Sequence, residues 1–114
     1  MVKEAWWDDL PELITVDERE LRVELRERIG QLDAQGHEAG GMYLDKRGLI
    51  LVHAHLSRDA AQGTILHELG HHAFARDGLN KRFSSATEER TVAGITYWLH
   101  HALKDEGLRA FLEA

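Results

Sequence analysis

Hydrophobic residues recur at every third or fourth position between charged residues in the first third of the chain. This spacing places them on one face of a helix and predicts an amphipathic helix over residues 18–35. Asp17 before this segment is a typical N-cap residue, Glu20 takes the third helical position, and Gly36 is a natural stop. The apolar positions of this predicted helix are Leu21, Leu25, Ile29 and Leu32.

Short stretches with strand character lie on either side of this segment. Residues 12–16 form the first of them. Residues 42–44 and 49–55 flank a connection at residues 45–48 that ends in glycine, which is typical of a hairpin turn. The run at 49–52 is continuously apolar and indicates a buried strand. We therefore predict a short, mostly antiparallel sheet.

The second half of the chain carries three further helical patterns. The first covers residues 57–75. The second begins at Ser85, which forms a capping box with Glu88, and ends at Gly107. Residues 108–114 are long enough for a short terminal helix. The buried stripe of the second helix is expected to consist of Val92, Ile95, Leu99 and Leu103.

Length and composition fit one globular α+β domain over residues 1–114. Hydrophobic residues make up 43% and charged residues 30%, and no apolar run approaches the length that spans a membrane. The net charge of −6, with no basic cluster, argues against nucleic acid and membrane partners. The N-terminus lacks the apolar core of a signal peptide, so a cytoplasmic location is expected. Because there is no cysteine, any metal ligands must be His, Asp or Glu.

An H-E-x-x-H motif, from His67 to His71, lies within the helix predicted over residues 57–75. Residues four apart lie one above the other on a helix, so these two imidazoles can bind one metal ion. Glu68 lies about 100° around the helix from His67, where its carboxylate can take a proton from water instead of binding the metal. The motif therefore predicts a zinc (Zn2+) hydrolase site in which Glu68 is the catalytic base.

A catalytic zinc site usually has three protein ligands, so a third must follow His71. Asp77 is one candidate, but Phe74 indicates that the helix continues and carries Asp77 away from the metal. Glu88 and Glu89 on the next predicted helix are the others. On a helical wheel Glu89 falls at the rim of the apolar face, whereas Glu88 is engaged in the capping box. Glu89 is the preferred ligand, and Glu88 and Asp77 stay open as alternatives.

This arrangement resembles the ImmA/IrrE-type zinc metallopeptidases and the related minigluzincins. The resemblance rests on the apolar strand at residues 49–55, the helix containing ILHELGHH, and the helix segment that opens Glu89-Arg90-Thr91-Val92. It implies a small zincin-like domain, in which the sheet accompanies an H-E-x-x-H helix and a following ligand helix. The predicted helix at residues 18–35 suits the role of a backing helix behind the sheet.

Carried over by this resemblance, His67, His71 and Glu89 are the zinc ligands and Glu68 is the catalytic base. The expected activity is hydrolysis of peptide bonds in a protein or peptide substrate. The alternative is a zinc-binding regulatory module that is inert, or that is held latent by the 108–114 segment. An intact Glu68 favours the peptidase, since a structural site has no use for a base. Candidates for a second donor to the reacting carbonyl oxygen are Tyr97, His100, His53 and His55.

Overall fold

A four-stranded mixed sheet lies at the centre of this computed structural model, which describes residues 6–30 and 39–114. The strand order is β1-β2-β4-β3; β1–β2 and β3–β4 are antiparallel pairs, and β2–β4 is parallel. With three helices, this is the predicted α+β class. The elements are β1 (Leu13–Val16), β2 (Arg19–Arg26), β3 (Gly41–Leu44), β4 (Leu49–His53), α1 (Arg58–Arg76), α2 (Ser85–Ala102) and α3 (Glu106–Glu113).

The predicted backing helix over residues 18–35 is wrong, because the chain forms strand β2 here. Leu21 and Leu25 are four residues apart, a spacing that fits a helix and is also a multiple of the two-residue strand period. Val23 decides between them, since Leu21 and Val23 are both buried and the residues on either side of each are less so. Residues 31–35 of the predicted helix lie outside the described residues.

A tight turn at Asp17 and Glu18 joins β1 to β2. Both residues have positive φ, 49° and 66°, as in the two-residue turns that suit the twist of a hairpin. The prediction that Asp17 caps a helix is therefore also wrong. Aspartate favours helix caps and turns for the same reason, since its short side chain bonds to nearby backbone groups.

The hairpin predicted around residues 45–48 is confirmed as β3 and β4. A short 3₁₀ turn, Asp45–Arg47, leads into Gly48, whose φ of 57° suits glycine. Strand β4 is apolar at consecutive positions because both faces of the sheet are covered. Ile50 and Val52 pack toward α1, while Leu49 and Leu51 pack on the other side.

Helices α1 and α2 pack closely at Gly70. A Cβ at this position would lie 2.7 Å from Cγ1 of Val92 and 3.3 Å from Cγ2 of Thr96, so glycine lets the two helices approach. Ser57 caps α1 by accepting a hydrogen bond from the Ala60 N–H. None of the helices in the described part of the chain has the length and apolar character needed to span a membrane.

Three details of the α2 prediction are wrong. The N-cap is Ser84, whose Oγ accepts from the Thr87 N–H, so the Ser85–Glu88 capping box does not form. Asp105 caps α3, and Gly107 lies inside that helix.

The third detail concerns the predicted buried stripe of α2. Val92 is buried, but Ile95 and Leu99 are 55% and 49% exposed, and Thr96 is buried instead. Val92 and Thr96, one turn apart, face Gly70 of α1 and form the contact face of α2, so Ile95 and Leu99 lie outside this contact.

Candidate metal centre

Helices α1 and α2 bring His67, His71 and Glu89 together. Nε2 of His67 lies 3.2 Å from Nε2 of His71. The Glu89 carboxylate spans both rings, with Oε1 2.8 Å from Nε2 of His67 and Oε2 2.9 Å from Nε2 of His71. One ligand atom from each residue lies within 4.8 Å of the others, so the three form a group that could hold a metal ion.

The spacing of the two imidazole nitrogens suits a tetrahedral ion. Two nitrogens bound at 2.0–2.1 Å with a tetrahedral angle between them are separated by about 3.3–3.4 Å. The observed separation of His67 Nε2 and His71 Nε2 is 3.2 Å. Two imidazoles and one carboxylate are also a donor set that zinc accepts in catalytic sites. The residues present therefore fit a metal ion of this kind.

Glu88 contacts the same histidine from the opposite side. Its Oε2 lies 2.6 Å from Nδ1 of His71, and both side chains are largely buried. A carboxylate in this position accepts the Nδ1 proton and leaves Nε2 free to bind a metal. Glu88 is available for this contact because Ser84, and not Ser85, caps α2. The sequence suggested Glu88 only as a competing ligand and did not reveal this role.

Asp77 lies at the C-terminal end of α1, where its backbone N–H donates to the carbonyl of Ala73 and the N–H of Gly78 donates to that of Ala75. Its side chain is not a member of the group that could hold a metal, as far as the described residues extend. Helix α1 continues through Phe74, as expected from the sequence, and this continuation was the reason for predicting that Asp77 lies away from the metal.

The side chain of Glu68 is buried beside the metal group, with 7% of the residue exposed. Burial raises the pKa of this carboxyl from 4.5 to about 7, because the charged form loses its hydration. The charge of His71 and a hydrogen bond from the backbone N–H of Tyr43 act in the opposite direction. A carboxyl group that titrates near neutral pH is well suited to exchange protons with water or substrate.

The pKa values of the two histidines of the motif shift in opposite directions. Burial lowers the pKa of His67 below its ordinary value. Burial also acts to lower the pKa of His71, but the hydrogen bond to Glu88 and the nearby Glu68 and Glu89 charges raise it overall. Without a metal, the neighbouring carboxylates therefore favour the protonated form of His71, which carries a proton on Nε2 as well as on Nδ1. A bound metal ion would replace the Nε2 proton, because only a neutral imidazole coordinates through Nε2.

A cleft of about 1100 Å³ opens over the metal group. One wall is strand β3, with Gly41 and Tyr43, and the opposite wall is the N-terminal part of α2. His67, Glu68 and His71 line the cleft between these walls. The four candidates for a second donor, Tyr97, His100, His53 and His55, do not line it, nor do the described residues 108–114.

His72 lies outside the metal group and is buried. Its Nδ1 lies 2.8 Å from the hydroxyl of Tyr43, which also lies 2.6 Å from Oδ1 of Asp45. No pattern in the sequence indicated this connection between β3 and α1. Only the strand register, which directs Tyr43 toward the same side as Ile50, would have indicated it.

Comparisons with protein-family models, with curated proteins and with solved structures found no match for this chain.

Proposed function

We propose that the chain is a zinc-dependent metallopeptidase with a zincin-like site. The convergence of the Nε2 atoms of His67 and His71 on the carboxylate of Glu89 carries this proposal. The ligand sequence and its spacing are those of the ImmA/IrrE-type resemblance, with the two histidines one helical turn apart and the glutamate on the next helix. The buried Glu68 beside them has no obvious use in a purely structural site.

Bound zinc supplies a positive charge that acidifies water and polarises a carbonyl group. Glu68 accepts the proton of the water that attacks the peptide carbonyl carbon. As the C–N bond breaks, it donates that proton to the leaving amine. The burial of Glu68, which raises its pKa to about 7, suits both steps near neutral pH. Glu88 holds the ring of His71 in the orientation that directs Nε2 into the cleft.

Strand β3 offers an edge along which a peptide substrate can lie. It is the last strand in the order β1-β2-β4-β3, and Gly40, Gly41 and Met42 line the cleft. An extended peptide that adds to such an edge is recognised mainly through its backbone. The proposed substrate is therefore an extended segment of a protein or peptide.

Metal content and hydrolysis, measured together, test this proposal. Wild type is expected to bind one zinc per chain and to cleave a fluorescein-labelled casein or a mixed quenched-peptide library. Glu89→Ala is expected to lose zinc and activity. Glu68→Gln is expected to keep zinc and lose activity by about 10²–10⁴-fold. Asp77→Ala is the matched carboxylate control, and should keep both.

The results that would contradict the proposal are equally specific. If metal-free protein takes up no zinc, the whole site assignment fails. If zinc binds but no peptide is cleaved, the inert regulatory module becomes the better account. The exposed aromatic residues Trp98 and Phe111, at 70% and 78%, favour that second function because such side chains are typical of surfaces that bind proteins.

A further inference from the structure

Tyr43 connects strand β3 to helix α1 at two points. Its hydroxyl lies 2.8 Å from Nδ1 of His72. Its backbone N–H donates a hydrogen bond to the carboxylate of Glu68. The side chain and the main chain of one residue thus contact positions 72 and 68, which are one turn apart on α1.

The register of the sheet explains why this N–H is available. The N–H of His53 donates to the carbonyl of Gly40, at 2.8 Å. In an antiparallel pair the bonded positions alternate, so Gly40 and Met42 bond to β4. The backbone groups of Tyr43 instead point away from β4, toward the open edge of the sheet. At this edge the N–H of Tyr43 meets the Glu68 carboxylate.

The hydrogen bonds of the Tyr43 hydroxyl have a defined direction. Asp45 Oδ1, at 2.6 Å, is a carboxylate oxygen that only accepts, so the hydroxyl donates its single proton to Asp45. The hydroxyl oxygen must then accept from Nδ1–H of His72. His72 is buried on α1, with 4% exposed, so the pair fixes the side chain of Tyr43 against a rigid part of the helix.

Gly41, two residues before Tyr43 on the same face of β3, contributes no side chain to the contact with α1. Gly41 faces α1, and a Cβ there would clash with Cγ2 of Thr64 and lie 2.7 Å from the carbonyl oxygen of Leu51. The strand therefore lies very close to the helix but is not held there by a side chain of Gly41. The side chain of Tyr43 supplies that attachment, through its hydrogen bond to His72 and the edge-on contact of the two rings.

We propose that Tyr43 is the positioning residue of Glu68. The Tyr43 hydroxyl, held by His72 and Asp45, fixes β3 in the place where the Tyr43 N–H orients the Glu68 carboxylate. This inference rests on the proposed function, in which Glu68 is the base. Tyr43 does not touch the metal group, and its effect reaches the reaction only through Glu68.

Tyr43→Phe tests the inference, because it removes the hydroxyl and keeps the ring. The expected result is a 5–20-fold fall in kcat, with KM changed less than twofold and zinc content unchanged. In the Glu68→Gln background the same substitution should have no further effect on the residual rate, since both changes act through one group. Tyr97→Phe, at an exposed position on α2 outside the cleft, is the matched control and should leave kcat unchanged.

The partner on α1 provides a rescue experiment. His72→Leu removes the donor to the Tyr43 hydroxyl and should reproduce the fall in kcat seen in Tyr43→Phe. His72→Asn keeps an N–H near the position of Nδ1 and should restore at least half of wild-type kcat. A residue that served only in packing would behave in the opposite way, because leucine fills the buried space better than asparagine. Equal activity of the two variants would overturn the proposal.

Amide hydrogen exchange separates this inference from the proposed function. In wild type the Tyr43 N–H should be protected, and Tyr43→Phe should speed its exchange at least tenfold while the Met42 N–H, bonded to β4, is unchanged. If wild type cleaves no peptide, the proposed function fails, but this exchange measurement still decides whether the hydroxyl holds β3. Unchanged protection of the residue-43 amide in Tyr43→Phe would overturn the inference, whatever the activity.

Discussion

Oε2 of Glu88 lies 2.6 Å from Nδ1 of His71, on the side of the ring opposite to Glu89. Carboxylates that hold a metal-binding histidine in this way typically raise metal affinity by about 10–100-fold. Glu88→Ala is therefore expected to weaken zinc binding by this factor while the protein still binds one zinc. Competition with a chromophoric chelator measures the change.

Two further variants sharpen this experiment. Glu88→Gln keeps an oxygen that accepts from Nδ1 but loses the charge, so its zinc affinity should lie between those of wild type and Glu88→Ala. Glu89→Ala removes the proposed third ligand and should weaken binding more than either. If Glu88→Ala proved as damaging as Glu89→Ala, Glu88 would have to be a ligand itself.

Two helical glycines allow a matched test of the contact between α1 and α2. Gly70→Ala places a Cβ 2.7 Å from Cγ1 of Val92, so it should destabilise the protein by about 1–3 kcal/mol and, by separating the helices, weaken zinc binding. Gly94→Ala meets no heavy atom within 4 Å and should stabilise the protein by about 0.5–1 kcal/mol, because alanine favours helix. Urea unfolding with and without zinc distinguishes them. Equal stabilities of the two variants would be incompatible with close packing at Gly70.

Glu68 is expected to make the stability of the metal-free protein depend on pH. Its pKa is raised from 4.5 to about 7 in the folded state, so between these values the folded protein keeps a proton that the unfolded chain has lost. Stability therefore falls as pH rises through this window, by about 3 kcal/mol in total, and the loss is complete by about pH 8. Glu68→Gln should be more stable than wild type by this amount at pH 8 and nearly equal to it near pH 4.5.

Urea unfolding in the presence of a chelator, at several pH values, gives this difference directly. Glu20→Gln removes a carboxylate at an exposed position of β2 and controls for the change in net charge. A constant difference between Glu68→Gln and wild type from pH 4.5 to 8 would show that burial does not shift the Glu68 carboxyl.

The turn between β1 and β2 contains a residue whose conformation glycine would adopt more readily. Glu18 has a φ of 66°, which costs a non-glycine residue about 1 kcal/mol or more. Glu18→Gly is expected to stabilise the protein by about 0.5–1 kcal/mol. Glu20→Gly, two residues later in β2, should destabilise it by a similar amount, since glycine weakens strand interiors. Thermal unfolding measures both, and a destabilised Glu18→Gly would exclude the positive-φ turn.

The candidate site was more accessible to sequence reasoning than the fold around it. His67 and His71 are related by one helical turn, so their proximity follows from local geometry alone. The prediction of Glu89 as a ligand required only a second helix, although the reasoning that preferred Glu89 to Glu88 was partly wrong. The capping box assigned to Glu88 does not form, and Glu88 contacts His71 instead.

The segment containing β2 could not be identified from its apolar spacing. Leu21 and Leu25 satisfy both a helical and a strand period, and the choice was settled by distant partners, since β2 lies between β1 and β4. Tyr43 was missed for a related reason: its contact with His72 joins residues 29 positions apart and depends on how β3 packs on α1. Sequence periodicity describes one element at a time and does not contain this information.

The parallel pairing of β2 with β4 also has a consequence for folding. Strands β1 and β2 form one local unit, and β3, β4, α1 and α2 form another, built from consecutive elements. Joining them closes a long loop, whose entropic cost must be met before the contacts between units form. Formation of the β2–β4 pairing should therefore limit the rate of refolding. Val23→Ala, in β2 at this pairing, should slow refolding more than Gly70→Ala does. Every described residue that lines the cleft belongs to the second unit or lies just before it, so the candidate metal centre can assemble from contacts within that unit.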